Sequence, residues 1–280
     1  MTNYEAGLVR LAVFVFGASL GSFLGAAAYR VPNGMSVIRP RSHCPACGHP
    51  LMPVDLVPVL SYIWRKGRCG YCGQPFSVRY MVIETVTAIV TLLLFLRYGF
   101  TFCFLLYLTL SGLAILLAAI DLEHHRLPNV LTLFGIGAGL LFNLIWEAVG
   151  GAAVTFYPTA EWQGVWYGAF IDPHIWGKYE VLAPHFSILD SLLGILTGGG
   201  ILWLMAVASR GGVGGGDIKY LAAIGSFIGP GAVLSVLFTG ALLGGTFSLL
   251  MLFFGRLKWK QPIPFGPFLS AGVLIVALIG

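Results

Sequence analysis

Long apolar runs separated by short polar segments dominate the chain. A transmembrane helix needs about 20 predominantly apolar residues, and most of these runs approach or exceed that length. Eight runs can be read, with boundaries good to a few residues, at 8–29, 81–96, 102–120, 130–149, 188–208, 218–229, 232–254 and 265–280. The pattern predicts an all-α polytopic membrane protein with about eight transmembrane helices.

The composition supports this prediction and excludes other classes of protein. The chain has 280 residues, of which 58% are hydrophobic and 10% charged, whereas soluble domains average about 45–50% apolar and about 25% charged residues. A soluble enzyme and a disordered chain are therefore excluded. The 38 glycines show no G-X-Y period and suit close helix packing in lipid. We expect membrane lipids, and no nucleic acid, around a chain of net charge +5.

The positions of the basic residues predict the orientation. With the N-terminus outside, thirteen of the sixteen Lys and Arg residues fall in cytoplasmic loops, as the positive-inside rule requires. Residues 1–29 then form the first transmembrane helix, 30–80 a cytosolic domain, and 81–280 the main membrane domain. The segment 150–187 is an outer loop rich in Trp and Tyr, which predicts contact with the outer membrane surface or with a docked partner.

Four cysteines form two C-x2-C pairs inside segment 30–80. The cytosol keeps thiols reduced, so disulfides are not expected there. Four thiolates complete the closed tetrahedral shell of a structural zinc site. The segment is also too small and too rich in Pro to fold by hydrophobic burial alone. The sequence predicts a zinc-ribbon-like domain whose ligands are Cys44, Cys47, Cys69 and Cys72.

Two aspartates lie where apolar runs meet the cytoplasmic side. Asp121 ends the third run, and Asp217 ends a glycine loop just before the sixth. Two carboxylates that lie close together at the same depth in the membrane can share one proton. One can then activate water while the other polarises a carbonyl. Polar groups at membrane depth are costly and usually functional. The pattern indicates a paired-aspartate hydrolase, although an aspartate at a helix end can also be an ordinary solvated residue.

Other residues are weaker candidates for a substrate-binding region. The glycine loop, with Gly214 and Gly216, lets a substrate strand approach the backbone closely. Lys219 follows Asp217 by two positions and is expected to tune its charge or to bind lipid phosphate. Glu84 opens the second run, where it either stabilises a helix N-terminus or lines the site. Glu84, Glu123 and Asp55 are the acids that a basic substrate segment would meet.

Several motifs, in order along most of the chain, resemble the type IV prepilin peptidase family, the bifunctional leader peptidases and N-methyltransferases of pilus and type II secretion systems. The motifs that carry this resemblance are Gly21-Ser22-Phe23-Leu24, Tyr29-Arg30-Val31-Pro32, residues 40–47, Val57 to Tyr62, Gly67 to Cys72, Arg79-Tyr80 with Glu84, Asp121 with Leu127-Pro128-Asn129, Gly214 to Lys219 and Pro264 to Phe268.

The resemblance implies an aspartic protease of the GxGD type in the bacterial inner membrane, with Asp121 and Asp217 as its catalytic residues. It also implies cleavage after a Gly at the end of a basic leader in prepilins or pseudopilins, on the cytosolic side. Methylation of the new N-terminal amine from S-adenosylmethionine is implied by resemblance alone, because no nucleotide-binding fingerprint is present.

Two other classes of function remain open at the level of sequence. A transporter could use Asp121 and Asp217 to relay protons or bind a cation, but transporter sites usually lie near the membrane midplane. A noncatalytic scaffold could bind a cytosolic partner through its zinc ribbon, which would leave the aspartate pair unexplained.

Overall fold

The computed structural model describes residues 3–39, 41–44, 46–149, 187–210, 212–256 and 263–279. These residues form helices and no extended strands, apart from two isolated β-bridges. The elements are α1 (Asn3–Arg30), a short 3-10 helix (Pro53–Leu56), α2 (Leu60–Trp64), α3 (Val78–Tyr98), α4 (Phe102–His124), α5 (Asn129–Ala148), α6 (Ile188–Ala208), α7 (Gly215–Phe253) and α8 (Gly266–Ile279).

Each of the eight predicted apolar runs falls on one of these helices, and the predicted all-helical class is confirmed. Within the described ranges, six helices are long and apolar enough to cross a membrane. The sixth and seventh runs share α7, which spans 39 residues. They are divided at Gly229, with φ 73° and ψ −177°, followed by Pro230. Proline lacks the backbone N–H that a continuous helix needs, so the helix direction changes there.

The chain divides into two compact units, Met1–Phe95 and Leu96–Gly280. In the first unit, α1 packs against α3 through glycines. A Cβ at Gly21 would lie only 2.6 Å from the Cα of Glu84, and one at Gly17 would lie 2.7 Å from the Cβ of Thr91. Glycine is required at such close approaches because any side chain would separate the helices. Between α1 and α3, the chain forms the short 3-10 helix, α2 and two cysteine-bearing turns.

In the second unit, α5, α6 and α8 all pack against α7. The closest approach joins α6 to α7, where a Cβ at Gly194 would lie 2.0 Å from the carbonyl oxygen of Gly225. On α5, the buried side chain of Asn143 donates hydrogen bonds to the carbonyls of Gly139 and Ser226, both at 3.0 Å. The bond to Ser226 crosses from α5 to α7 and helps to position α7, whose first turn carries Asp217.

The predicted outer loop, 150–187, lies outside the described residues except for Ser187. The hydroxyl of Ser187 accepts a hydrogen bond from the N–H of Asp190 and caps the start of α6. The orientation across the membrane and the domain boundaries drawn from the sequence stay predictions.

Candidate functional site

The two C-x2-C pairs adopt the same local structure. In each, the backbone N–H of a glycine donates to the carbonyl of the first cysteine: Gly48 to Cys44 at 2.8 Å, and Gly73 to Cys69 at 2.9 Å. Both glycines have positive φ, 70° and 73°, which residues with a Cβ rarely adopt. The glycine after each pair therefore closes a tight turn that points two sulfurs in one direction.

The two turns bring four sulfurs together. All four Sγ atoms lie within 4.8 Å of one another, and those of Cys44 and Cys72 are 3.8 Å apart. A tetrahedral ion with bonds of about 2.3 Å places its sulfur ligands about 3.8 Å apart. Backbone N–H groups of Cys72 and Tyr71 lower the pKa of the Cys69 thiol to about 7, whereas burial and hydrogen bonds with the other three thiols raise the pKa of the Cys72 thiol to about 12. The thiolate that binds metal is therefore favoured at Cys69. The predicted grouping of Cys44, Cys47, Cys69 and Cys72 is confirmed, and it is suited to a structural zinc ion.

Asp121 lies in the last turn of α4 and is buried. Its Oδ2 accepts a hydrogen bond of 3.1 Å from the backbone N–H of Gly266, the first residue of α8. A Cβ at Gly266 would lie 2.7 Å from this oxygen. The start of α8 therefore holds the carboxylate closely, and glycine is needed there for the carboxylate to fit.

Asp217 lies in the first turn of α7 and is half-buried. Its carboxylate lies over the glycine loop, close enough that a Cβ added at Gly214 would be 3.1 Å from Oδ2. The second unit thus contains both predicted aspartates, one at the end of α4 and one at the start of α7.

The glycine loop and the first turn of α7 contact the segment that follows Asp121. A Cβ at Gly216 would lie 3.0 Å from the Cβ of Leu127. The Lys219 ammonium donates a hydrogen bond of 2.8 Å to the side-chain oxygen of Asn129, the first residue of α5. Lys219 therefore joins α7 to α5, a role that sequence reasoning did not anticipate.

A buried hydroxyl pair links the helices that carry the aspartates. The Tyr220 hydroxyl is 2.7 Å from the Ser270 Oγ, which also lies 2.9 Å from the carbonyls of Ala114 and Gly266. These bonds connect α4, α7 and α8. Sequence reasoning missed Tyr220, Ser270 and the role of Gly266. The only local signal was the Gly-Pro pair at the start of the last apolar run.

The predicted acids occupy different environments. Glu84 is buried in the first unit, where its Oε2 accepts a hydrogen bond of 2.7 Å from the N–H of Val59. Asp55 pairs with Arg65 in the same unit. Glu123 is exposed near the end of α4, in the second unit. Contact of these acids with a basic substrate segment stays a prediction.

Comparison with known proteins gives two family matches. The family model described as "Bacterial Peptidase A24 N-terminal domain" matches residues 15–98, and the one described as "Type IV leader peptidase family" matches residues 108–249. The second match covers both aspartates and half of the chain. The chain belongs to the type IV leader peptidase family. The resemblance inferred from the sequence motifs is thereby confirmed.

Relatives named prepilin leader peptidase/N-methyltransferase match most of the chain. The Bacillus subtilis (strain 168) protein is 32% identical over 96% of this chain and 93% of its own length. The Aeromonas hydrophila protein is 28% identical over 96% and 90%. No solved structure matches the chain. Family membership and the apolar helices together make this a multi-pass membrane protein.

Proposed function

We propose that the chain is a membrane aspartic endopeptidase that removes the leader of type IV prepilins or pseudopilins and then N-methylates the new N-terminal residue. The observation that carries the proposal is that Asp121 at the end of α4 and Asp217 at the start of α7 belong to the same compact unit, within the region that matches the leader peptidase family. The relatives named prepilin leader peptidase/N-methyltransferase support both activities.

The aspartate pair supplies the acid and the base of hydrolysis. One ionised carboxylate takes a proton from water as the water oxygen bonds to the scissile carbonyl carbon. The other carboxyl group, protonated, donates a hydrogen bond to the carbonyl oxygen. The carbon–nitrogen bond then breaks, and a proton passes to the leaving amine. The two carboxyl groups act as a coupled pair, so neither has a separate fixed role.

The surrounding residues hold this pair in place. The Gly266 N–H fixes one oxygen of Asp121. Leu127 contacts the loop that precedes Asp217, and Asn129 accepts a hydrogen bond from Lys219, two residues after Asp217. The exposed backbone at Gly214 and Gly215 leaves room for an extended substrate segment. Cleavage requires the substrate to be extended, because a helix engages its carbonyls in backbone hydrogen bonds.

Methylation consumes S-adenosylmethionine, which supplies an electrophilic methyl group when bound. The free amine of the cleaved product would accept this methyl group, the carbon–sulfur electron pair would leave with sulfur, and the methylated ammonium would lose a proton to water. The chain must therefore bind both the donor and the new N-terminus.

The cellular setting follows from the charge pattern and the cysteine cluster. We place the protein in the bacterial inner membrane with its N-terminus outside and its aspartates at the cytosolic face. Basic residues of segment 30–80 lie against anionic lipid, each contributing about 1 kcal/mol of attraction near the surface. One zinc ion held by the four cysteines stabilises that segment.

Incubation of the purified protein with a prepilin-like substrate tests this function. With S-adenosylmethionine present, we expect loss of the leader after its terminal Gly, followed by gain of one methyl group on the new N-terminus. Without the donor, only cleavage is expected. Folded protein that gives neither product would contradict the proposal and would favour the transporter or scaffold alternatives.

A further inference from the structure

One buried hydroxyl oxygen joins three helices of the second unit. The Ser270 Oγ of α8 lies 2.7 Å from the Tyr220 hydroxyl of α7 and 2.9 Å from the carbonyl oxygen of Ala114 in α4. It also lies 2.9 Å from the carbonyl oxygen of Gly266, one turn earlier in α8. Tyr220 and Ser270 are both buried. Neither hydroxyl takes part in the proposed hydrolysis, so the pair needs another explanation.

The chemistry of these groups determines which of them donates. A carbonyl oxygen can only accept, so the single proton of the Ser270 hydroxyl is directed at the carbonyls of Ala114 and Gly266. The Ser270 oxygen then accepts the proton of the Tyr220 hydroxyl. Tyr220 thus donates its only proton to α8. Without the Ser270 hydroxyl, the phenol would be buried with no acceptor, which is costly.

The hydroxyl pair lies one helical turn from the residues that carry or hold the aspartates. Tyr220 follows Asp217 by three positions, and Ser270 follows Gly266 by four. Residues at these spacings lie on the same face of a helix. The Gly266 N–H in turn donates to Asp121 Oδ2 at 3.1 Å. The Tyr220–Ser270 bond therefore connects the helix turn that carries one aspartate with the helix turn that holds the other.

The break in α7 makes this connection important. The helix changes direction at Gly229, and α8 packs closely against the half of α7 that follows the break, where a Cβ at Gly272 would lie 2.7 Å from the carbonyl oxygen of Val236. That contact does not by itself determine where the first half of α7 lies. Of the hydrogen bonds that the described residues make, the one between Tyr220 and Ser270 is the only one that joins α7 to α8.

We propose that Tyr220 is a positioning residue of the peptidase, which sets the distance between the Asp121 and Asp217 carboxyl groups by joining the first half of α7 to α8. Two carboxyl groups share a proton only at short range, so this distance decides whether one can be protonated while the other is ionised. The proposal rests on the peptidase activity proposed above. Tyr220 acts through Ser270 and α8, and not on the substrate itself.

Steady-state cleavage of a prepilin-like substrate by Tyr220→Phe tests this role. Phenylalanine keeps the buried ring and removes only the hydroxyl. Misplacement of a catalytic group by about 1 Å costs about a hundredfold in rate, so a smaller shift should lower kcat by about threefold to tenfold. KM should stay within about twofold of the parent value, because the change affects the aspartates and not the binding of the leader.

Tyr107→Phe is the matched control. Tyr107 is also a buried tyrosine of the second unit, but it lies in α4, 14 residues before Asp121, which is about 21 Å along the helix. This variant should keep the parent kcat, even where it lowers the melting temperature. An equal loss of kcat in both variants would show a general effect of removing buried hydroxyls and would overturn the positioning role.

A double-mutant cycle with Ser270→Ala tests the bond itself. Ser270→Ala leaves the Tyr220 phenol without an acceptor, so it should lower the melting temperature more than Tyr220→Phe does. The double variant no longer contains that phenol and should be more stable than Ser270→Ala alone. In the Ser270→Ala background, Tyr220→Phe should lower kcat little further, because the connection is already broken.

The outcomes separate this proposal from the peptidase activity on which it rests. A folded Tyr220→Phe enzyme with the parent kcat, or an equal loss of kcat with and without Ser270, would overturn the positioning role and leave the aspartic peptidase standing. A rise in KM at unchanged kcat would also overturn it, because Tyr220 would then act in substrate binding. Folded parent protein that does not cleave prepilin would overturn the peptidase, and this role with it.

Discussion

Replacing Gly266 by alanine should disturb Asp121 directly. The Gly266 N–H donates to Asp121 Oδ2 at 3.1 Å. A Cβ added at this position would lie 2.7 Å from the same oxygen and 3.2 Å from the carboxylate carbon. Carbon–oxygen contacts in proteins normally begin near about 3.3 Å. The carboxylate must therefore move by about 0.6 Å, or the start of α8 must shift.

The expected consequence is slower leader cleavage by a folded enzyme. Misplacement of a catalytic group by about 1 Å can cost about a hundredfold in rate, so Gly266→Ala should lower kcat by about tenfold to a hundredfold. This loss corresponds to about 1.4–2.7 kcal/mol of activation free energy. Alanine is a better helix former than glycine, so the start of α8 should not unfold.

Single-turnover cleavage of a prepilin-like substrate provides the assay, and Gly137→Ala provides the control. Gly137 is an exposed glycine of α5, and no atom lies within 4 Å of the position that its Cβ would take, so this variant should cleave at the parent rate. A Gly266→Ala enzyme that also cleaves at the parent rate would refute the inference that the start of α8 positions Asp121 for catalysis.

Two further predictions concern the metal and the helix packing. Metal analysis should find about one zinc per chain. Cys72→Ser should lower that content and expose segment 30–80 to protease, whereas the control Cys103→Ser should do neither. Folded protein without metal would contradict the zinc site. Gly194→Ala places a Cβ 2.0 Å from the carbonyl oxygen of Gly225, so it should destabilise the second unit by about 1–3 kcal/mol. A thermal unfolding comparison with Gly200→Ala, which has open space around it, tests this, and equal melting temperatures would argue against the α6–α7 packing.

The helices and the cysteine cluster could be predicted from the sequence because both depend on local patterns. Apolar length determines a membrane helix, and the sixth run ends at Gly229, where α7 departs from helical geometry. Two C-x2-C pairs, each followed by glycine, encode two identical turns. Prediction of the family from the ordered motifs succeeded for the same reason.

The support around the aspartates could not be predicted because it depends on residues far apart in the chain. Gly266 and Asp121 are separated by 145 positions, and Tyr220 and Ser270 by 50. No periodicity or spacing links such pairs. The hydrogen bond from the Val59 N–H to Glu84 could not be predicted either, because nothing in the sequence marks Val59 as a residue with positive φ.

The central claim is that Asp121 and Asp217 together cleave the leader. Asp121→Asn and Asp217→Asn each preserve the side-chain shape, and an asparagine at 121 can still accept the Gly266 N–H, so both variants should fold. The direct measurement is leader cleavage by each purified variant, with zinc content and thermal unfolding as checks on folding. We predict that each substitution alone abolishes cleavage, because neither amide can replace a carboxyl group that exchanges protons. Substantial cleavage by either folded variant would contradict the aspartic mechanism.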